Sequence, residues 1–265
     1  MWEFARRAPI FRKGQRRMKN FAAIVLSAGS GKRMKSDVPK QYMNLNDKPV
    51  IYYSLKAFQD CGFSSIVLVC GKDDVEYCQK KIIKKYKLSG VTAVVTGGKE
   101  RYHSVYEGLK AVVDADYVFI HDGARPMLTR DIIRRLQEAV VQEEAAVTGM
   151  PVKDTIKIVD DEGYVMETPE RKYVWQVQTP QCFSFSTIYN AYSKLIADEE
   201  AGESIPPVTD DAMVLSYVSD KKIKMVEADY RNIKITTPED LAIAMVFLTE
   251  REIEEKKGTE WFKKF

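Results

Sequence analysis

From Phe21 onward, short apolar runs alternate with stretches of helical spacing. Residues 21–27 (FAAIVLS), 65–70 (SIVLVC), 91–96 (VTAVVT) and 117–121 (YVFIH) are brief, rich in Val and Ile, and bounded by Gly, Asp or Lys. Between them the apolar positions recur at helical intervals near 49–61, 73–87 and 102–113, and a further helix is expected at about 129–143. A strand that is apolar at nearly every position has no solvent face and must be covered on both sides. Such strands separated by helices form βαβ units, so the pattern predicts a doubly wound, mostly parallel α/β sheet.

The alternation changes between about 151 and 180. Residues 153–159 and 164–168 read as two strands about the turn Asp160-Asp161-Glu162-Gly163, a β-hairpin. Helices are expected again near 184–198 and 208–217, with strands near 222–227 and 232–236. The last helix has a clear start, with Thr237 as N-cap, Pro238 in the first position and Glu239 and Asp240 in the first turn. No repeat or low-complexity linker divides the chain. Residues 20–265 are therefore expected to form one domain, with a protruding hairpin arm at about 151–173.

Composition narrows the class. The chain is 45% apolar and 30% charged, as in an ordinary globular protein, and no run approaches eighteen apolar residues. Four cysteines without a CxxC pair, and only two histidines, offer no zinc-site spacing; the cysteines read as core residues of a reduced, cytoplasmic protein. The net charge of +3 is uneven: residues 1–19 hold seven Lys or Arg against one Glu, so the rest of the chain is at −3. A basic tail on a slightly acidic body argues against a nucleic-acid-binding fold, which would carry its charge as a stripe. The tail is Arg-rich and acid-poor but lacks the Ser of a transit peptide and the apolar run of a signal peptide. Residues 1–19 are read as a basic N-terminal extension, disordered or the product of an upstream start codon, with the natural start expected near Met18.

Doubly wound sheets bind ligands beyond the carboxyl ends of their strands. The loops expected there are Ala28-Gly29-Ser30-Gly31-Lys32-Arg33-Met34, Gly97-Gly98-Lys99-Glu100-Arg101 and Asp122-Gly123-Ala124-Arg125-Pro126. Glycines let backbone N–H groups approach phosphate oxygens, and Lys32, Arg33 and Lys40 supply neutralising charge. Two common phosphate loops are excluded. A Walker A loop needs glycine where Leu26 stands, and the dinucleotide fingerprint needs a third glycine where Met34 stands.

In context the first loop, followed by Pro39-Lys40-Gln41-Tyr42, resembles that of the sugar-phosphate nucleotidylyltransferases, a Rossmann-like nucleotidyltransferase fold. Gly97-Gly98-Lys99-Glu100-Arg101 with Ser104, His121-Asp122-Gly123-Ala124-Arg125-Pro126, Pro151-Val152-Lys153-Asp154-Thr155, Gln178-Thr179-Pro180-Gln181 and Asn232-Ile233-Lys234-Ile235-Thr236 follow in order. Together they resemble the 2-C-methyl-D-erythritol 4-phosphate cytidylyltransferase family from about Phe21 to Leu248. The resemblance implies transfer of CMP from CTP to a sugar-alcohol phosphate with release of pyrophosphate and with Mg²⁺ as cofactor. It implies Arg33, Lys40 and Lys234 as catalytic cations. It places Ala28, Gly29, Gly31, Gly98, Lys99, Arg101, Ser104 and Asp122 around the nucleotide, with Asp122 also at the metal. Thr155, Arg171 and Thr179 would hold the acceptor. It further implies a homodimer in which the arm crosses to the neighbouring subunit, so that Thr155 and Arg171 act in the partner's site. Neither nucleic acid nor membrane is expected as a partner.

Plainer readings compete at several positions. Lys32, Lys35 and Arg125 read equally as solvated charges, Asp122 as a turn cap, and Thr179-Pro180 as loop geometry. Arg171 lies in the charged run Glu170-Arg171-Lys172, and His121 and His103 are expected to pack beneath and shape their loops rather than to ionise. Ribitol-5-phosphate cytidylyltransferase is the nearest alternative activity, and a non-catalytic nucleotide- or RNA-binding module a distant one.

Overall fold

The computed structural model describes residues 19–29, 34, 36 and 38–262. The expectation for the basic extension lies almost wholly outside them. The described chain runs β1 (Phe21–Ser27), a small ladder of β2 (Asn44–Leu45) and β3 (Lys48–Pro49), α1 (Val50–Asp60), β4 (Ser65–Cys70) and α2 (Val75–Tyr77). It continues through β5 (Val91–Thr96), α3 (Arg101–Ala111), β6 (Tyr117–Asp122), α4 (Arg130–Glu143) and β7 (Ala145–Pro151). The arm carries β8 (Ile158–Val159) and β9 (Val165–Glu167). Then come β10 (Trp175–Ser184), α5 (Phe185–Glu200), α6 (Asp211–Val218), β11 (Lys224–Glu227) and α7 (Pro238–Phe262).

Seven strands form one sheet in the order β11-β7-β10-β6-β1-β4-β5. All its pairings are parallel except those of β10, which runs antiparallel to β6 and β7. The expected doubly wound, mostly parallel sheet is present, and its two faces explain the unbroken apolar runs. Ala23, Val25, Ile66, Leu68 and Phe119 pack one way, onto Phe58 of α1 and Leu136 of α4. Their neighbours Ala22, Ile24, Val67, Val69 and Ile120 pack the other way, onto α3, α5 and α6. Alternation along a strand sends successive side chains to opposite faces, and here both faces are core. A third, smaller cluster joins Met34, Leu45, Val50 and Met127 to Ile235, Ala244 and Leu248, fastening α7 beside the loop end of the sheet.

Four expectations change. Residues 232–236 form no strand: among the described residues they have no ladder partner and run as an irregular strap. The helix expected at 73–87 is α-helical only over Val75–Tyr77 and continues as a π-helix over Cys78–Lys84. The arm's ladder is shorter than expected, Ile158 and Val159 pairing with Val165 and Glu167 about a turn closed at Gly163, whose φ of 88° favours glycine. Finally, β7 and β10 were not anticipated. Strand β7 (AAVTGMP) has few β-branched residues, and β10 (WQVQTPQCFS) is half polar with a proline inside. The β10–β7 register shifts between Val177 and Gln181, around Pro180, which has no N–H to give the ladder.

Candidate active site

A cleft of about 260 Å³ opens at the carboxyl ends of β1 and β6. Ala28 and Gly29 form one wall, Gly98, Lys99 and Ser104 another, and Lys40, Arg101, Asp122 and Lys234 meet between them. Nine of the positions singled out in the sequence thus converge on one cavity. Gly31 and Arg33 lie outside the described residues.

Asp122, the last residue of β6, is nearly buried and faces three cations. Lys234 Nζ lies 2.9 Å from its carboxylate, and Arg101 and Arg125 each stand at 3.7 Å. Burial alone would raise the Asp122 pKa. The combined pull of Arg101, Lys234 and Arg125 outweighs it and holds the acid well below the usual carboxylate range. Asp122 is therefore an ionised carboxylate at any physiological pH. A cap of the local turn is the lesser part of its role.

Arg101 opens α3 and is itself anchored. Its guanidinium grips Asp211 with two bonds of 2.7 and 2.8 Å, and Tyr192 donates to the same carboxylate at 2.6 Å. Burial works against the Arg101 charge, but Asp211 more than compensates and raises its pKa. Bidentate pairing fixes the plane of a guanidinium as well as its charge.

The solvated reading of Arg125 is overturned. Its side chain is 12% exposed, and it donates to the Asn232 carbonyl at 2.8 Å. Burial lowers its pKa, with Asp122 opposing. Gly123 allows this crowding, since a Cβ there would come within 2.8 Å of the Leu26 carbonyl oxygen.

The nucleotide-side loops are tied down by their own side chains. Gln41, absent from the expected site, donates to the Ser27 carbonyl at 2.6 Å and to that of Gly29 at 3.3 Å. It thereby holds the turn bearing Lys40 against the glycine loop. Ser104 accepts from the Gly98 N–H at 3.1 Å. His103 caps α3 with Glu100, accepting from its backbone N–H at 3.3 Å, as expected of a loop-shaping residue. A Cβ on Gly98 would lie 2.4 Å from that of His103, which only glycine avoids.

Thr179 and His121 form a buried relay beneath Asp122. The Asp122 N–H donates to Thr179 Oγ1 at 3.0 Å, and Thr179 lies 3.1 Å from His121 Nδ1. His121 Nε2 is 3.3 Å from the Arg125 carbonyl, which can only accept. The proton therefore sits on Nε2, Nδ1 accepts from the threonine hydroxyl, and burial pushes the His121 pKa down to about 4. His121 is neutral packing, as expected. Thr179 supports the Asp122 loop from below and does not line the cleft.

Thr155 and Arg171 do not reach this cleft within their own chain. Both are exposed on the arm, where Arg171 donates to the Lys153 carbonyl at 2.9 Å. Asp211, Gln41, Arg125 and Asn232 are the functional neighbours that sequence reasoning missed. The pair Asp210-Asp211 opening an apolar helix was a legible sign for the first, since only Asp210 is needed as a cap.

Among the described residues no three His, Cys, Asp or Glu side chains gather to hold a metal. In the cleft Asp122 offers an ionised oxygen. That suits Mg²⁺, which keeps several waters and is commonly held by one or two carboxylates and substrate phosphates.

A glycine loop, a base-sized cleft and converging cations at the carboxyl end of a doubly wound sheet define a nucleotidyltransferase. Residues 21–250 match the family described as 2-C-methyl-D-erythritol 4-phosphate cytidylyltransferase (IspD). A protein of that name from Lachnospira eligens is 50% identical over 227 residues, 85% of this chain and 98% of that one. Its namesake from Lachnoclostridium phytofermentans is 46% identical over 235 residues, 89% and 99% of the two chains. Among solved structures, the 4-diphosphocytidyl-2C-methyl-D-erythritol synthase of Anaerococcus prevotii superposes with a TM-score of 0.75 at 35% identity, covering 87% of this chain and 99% of that one. The 2-C-methyl-D-erythritol 4-phosphate cytidylyltransferase of Thermus thermophilus gives a TM-score of 0.68 at 25% identity, over 87% and 98%. This chain belongs to the 2-C-methyl-D-erythritol 4-phosphate cytidylyltransferase family.

Proposed function

We propose that the chain transfers CMP from CTP to 2-C-methyl-D-erythritol 4-phosphate, a step of isoprenoid biosynthesis, and releases pyrophosphate. The observation that carries the proposal is the meeting of Lys40 with Arg101, Asp122 and Lys234 in one cleft walled by two glycine loops. Both reactants are anions, so the barrier contains their repulsion, and the transition state gathers charge on the α-phosphoryl oxygens. Fixed cations in a partly desolvated cleft oppose both effects without reorganising.

The acceptor phosphate has a second pKa near about 6 and is largely ionised at neutral pH. A strong general base is then unnecessary, in keeping with a site whose Asp122 follows a histidine, His121, that is held neutral and hydrogen-bonded. Lys40 and Lys234 bind the triphosphate and the attacking phosphate, joined by Arg33 on the first loop. Gly98, Lys99 and Ser104 receive the cytidine, and Arg101 keeps its loop in register through Asp211. Asp122 positions Lys234 and would hold Mg²⁺ together with substrate phosphates. The ion would neutralise phosphate charge there.

Thr155 and Arg171 complete the acceptor site from a neighbouring subunit in a cytoplasmic homodimer. The arm's exposed Ile158, Tyr164, Val165 and Met166 support that reading, being apolar surface left open among the described residues. Pyrophosphate release from CTP and Mg²⁺ tests the activity, with methylerythritol 4-phosphate and ribitol 5-phosphate offered in parallel. Turnover of the first is expected, and turnover of ribitol 5-phosphate alone would overturn the assignment. Mixed dimers of Arg171→Ala and Arg33→Ala subunits test sharing. Recovered activity is expected, and its absence counts against a shared site.

A further inference from the structure

The strap that follows β11 ends at Lys234, yet its other end is fastened to the root of the arm. On the site side, Asn232 is fully buried. Its amide donates to Gln178 Oε1 and to the Thr179 carbonyl, each at 3.0 Å, and its own carbonyl accepts from Arg125 at 2.8 Å. The Ile235 N–H closes the strap onto the Ala124 carbonyl at 2.9 Å. On the arm side, the Tyr230 hydroxyl donates to the Pro151 carbonyl at 2.7 Å. The Lys153 ammonium lies 3.7 Å from the centre of the Tyr230 ring. Pro151 is the last residue of β7, and Lys153 supplies the carbonyl that receives Arg171.

From these contacts we infer that Tyr230 and Lys153 are positioning residues that set the arm's departure angle, and with it the acceptor phosphate's hold on Arg171. Little else among the described residues fixes the arm. Its own ladder is two residues against three, and its flanks join the sheet through Val152–Val174 and Trp175–Pro151. A short hairpin is marginal by itself. A tyrosine that donates to one carbonyl and carries a cation on its face constrains the next two residues in both direction and rotation. Because Tyr230 shares a seven-residue strap with Lys234, the arm and the Asp122–Lys234 pair are set by one piece of backbone. Neither Tyr230 nor Lys153 touches the nucleotide cleft, so loss of the clasp falls on the acceptor and spares CTP.

This inference rests on the proposed activity, and its test separates the two. Tyr230→Leu removes both contacts, Tyr230→Phe removes only the hydroxyl, and Lys153→Met removes only the cation. In steady-state assays of the full chain, Tyr230→Leu is expected to raise the KM for methylerythritol 4-phosphate about tenfold, equivalent to about 1.4 kcal/mol. Tyr230→Phe and Lys153→Met are expected to raise it about threefold each, with the KM for CTP and kcat held within about twofold. Hydrogen exchange gives a readout independent of turnover: amides of 153–174 exchange faster in Tyr230→Leu, and those of 117–125 do not. A parallel rise in both KM values, or unchanged arm exchange in Tyr230→Leu, would overturn the role. Should Tyr230→Leu fold poorly, the two milder variants carry the same comparison. Wild-type enzyme that ignores methylerythritol 4-phosphate defeats the proposed activity instead, and the exchange experiment still decides the clasp.

Discussion

Around Asp122 the chain buries its charges, whereas in the arm between β7 and β10 it exposes its apolar side chains. Asp122, Arg125, Arg101 and Asp211 are each at least mostly enclosed, and each is held by at least one further charge. In the arm, Tyr164, Met166 and Tyr173 are each about 70% exposed. Buried charge is stable only when its partners are already in place, so the first region is finished within one chain. Exposed apolar surface gathered on one element marks a place where another surface can dock, which is the reading proposed for the second region. The two regions are thereby built by different means in one protein.

The largest effect that sharpens this contrast is expected at Lys234. Lys234→Ala removes the cation 2.9 Å from Asp122 and leaves the fold intact, since the side chain is 39% exposed. CMP transfer in single-turnover assays should fall by about 10²–10³-fold, the usual loss for one preorganised charge stabiliser. A loss below about tenfold would mean that the cation cluster does not carry the chemistry. Next in size is Asp211→Asn, which leaves Arg101 enclosed without its counter-charge. Urea unfolding should show a loss of about 3 kcal/mol, the scale for breaking a buried pair. An unchanged midpoint would show that the enclosed charges are not interdependent.

How much of this was legible beforehand follows the same division. The parallel strands were readable because burial on both faces leaves a nearly unbroken apolar run, as in the IVLVC of β4. Strand β10 was not, because its polar Gln178 and Gln181 face fixed partners, Asp229 and Asp210, that are remote in sequence. The strap at 232–236 reads as a strand because Ile233 and Ile235 alternate with polar residues. In fact Asn232 anchors it to β10 and Ile235 anchors it to the Ala124 carbonyl, and among the described residues it has no ladder partner. Asp122 and the glycine loops were readable from position after a strand. Arg125 and Asp211 were not, since no local pattern distinguishes an enclosed charge from a solvated one. Gly31 and Arg33 lie where the structure is not described.

His121 makes the enclosed region pH-sensitive. Its pKa is pushed down to about 4 in the folded chain by burial, against about 6.5 unfolded. Above 6.5 neither state takes the proton. Between 6.5 and 4 only the unfolded chain does, so stability falls as pH drops, and below 4 the loss levels off at about 3 kcal/mol. Asp122, with its pKa depressed, adds its own loss only in more acid solution. Chemical unfolding at pH 7.5 and 5 should differ by about 2 kcal/mol from this residue. His121→Gln keeps a donor and an acceptor without a titrating proton and should flatten that difference. A slope unchanged in the variant would remove His121 as the cause.

The smallest effect on the chain's own stability is expected in the arm, and it tests the other half of the contrast. Val165 and Met166 are 58% and 69% exposed. Replacing both with Glu should change the unfolding free energy of dilute protein by no more than about 0.5 kcal/mol, as for other surface sites. The same change places two charges on the surface that a second copy would cover. A dimer held through the arm has a thermal midpoint that rises with protein concentration, because association stabilises only the folded state. In the double variant that dependence should vanish, sedimentation should report a monomer, and turnover of acceptor should fall while CTP binding persists. A variant that stays dimeric, or one that loses about 2 kcal/mol or more as a monomer, would show that the arm is completed within its own chain after all. The division between a self-sufficient site and a partner-dependent arm would then be lost.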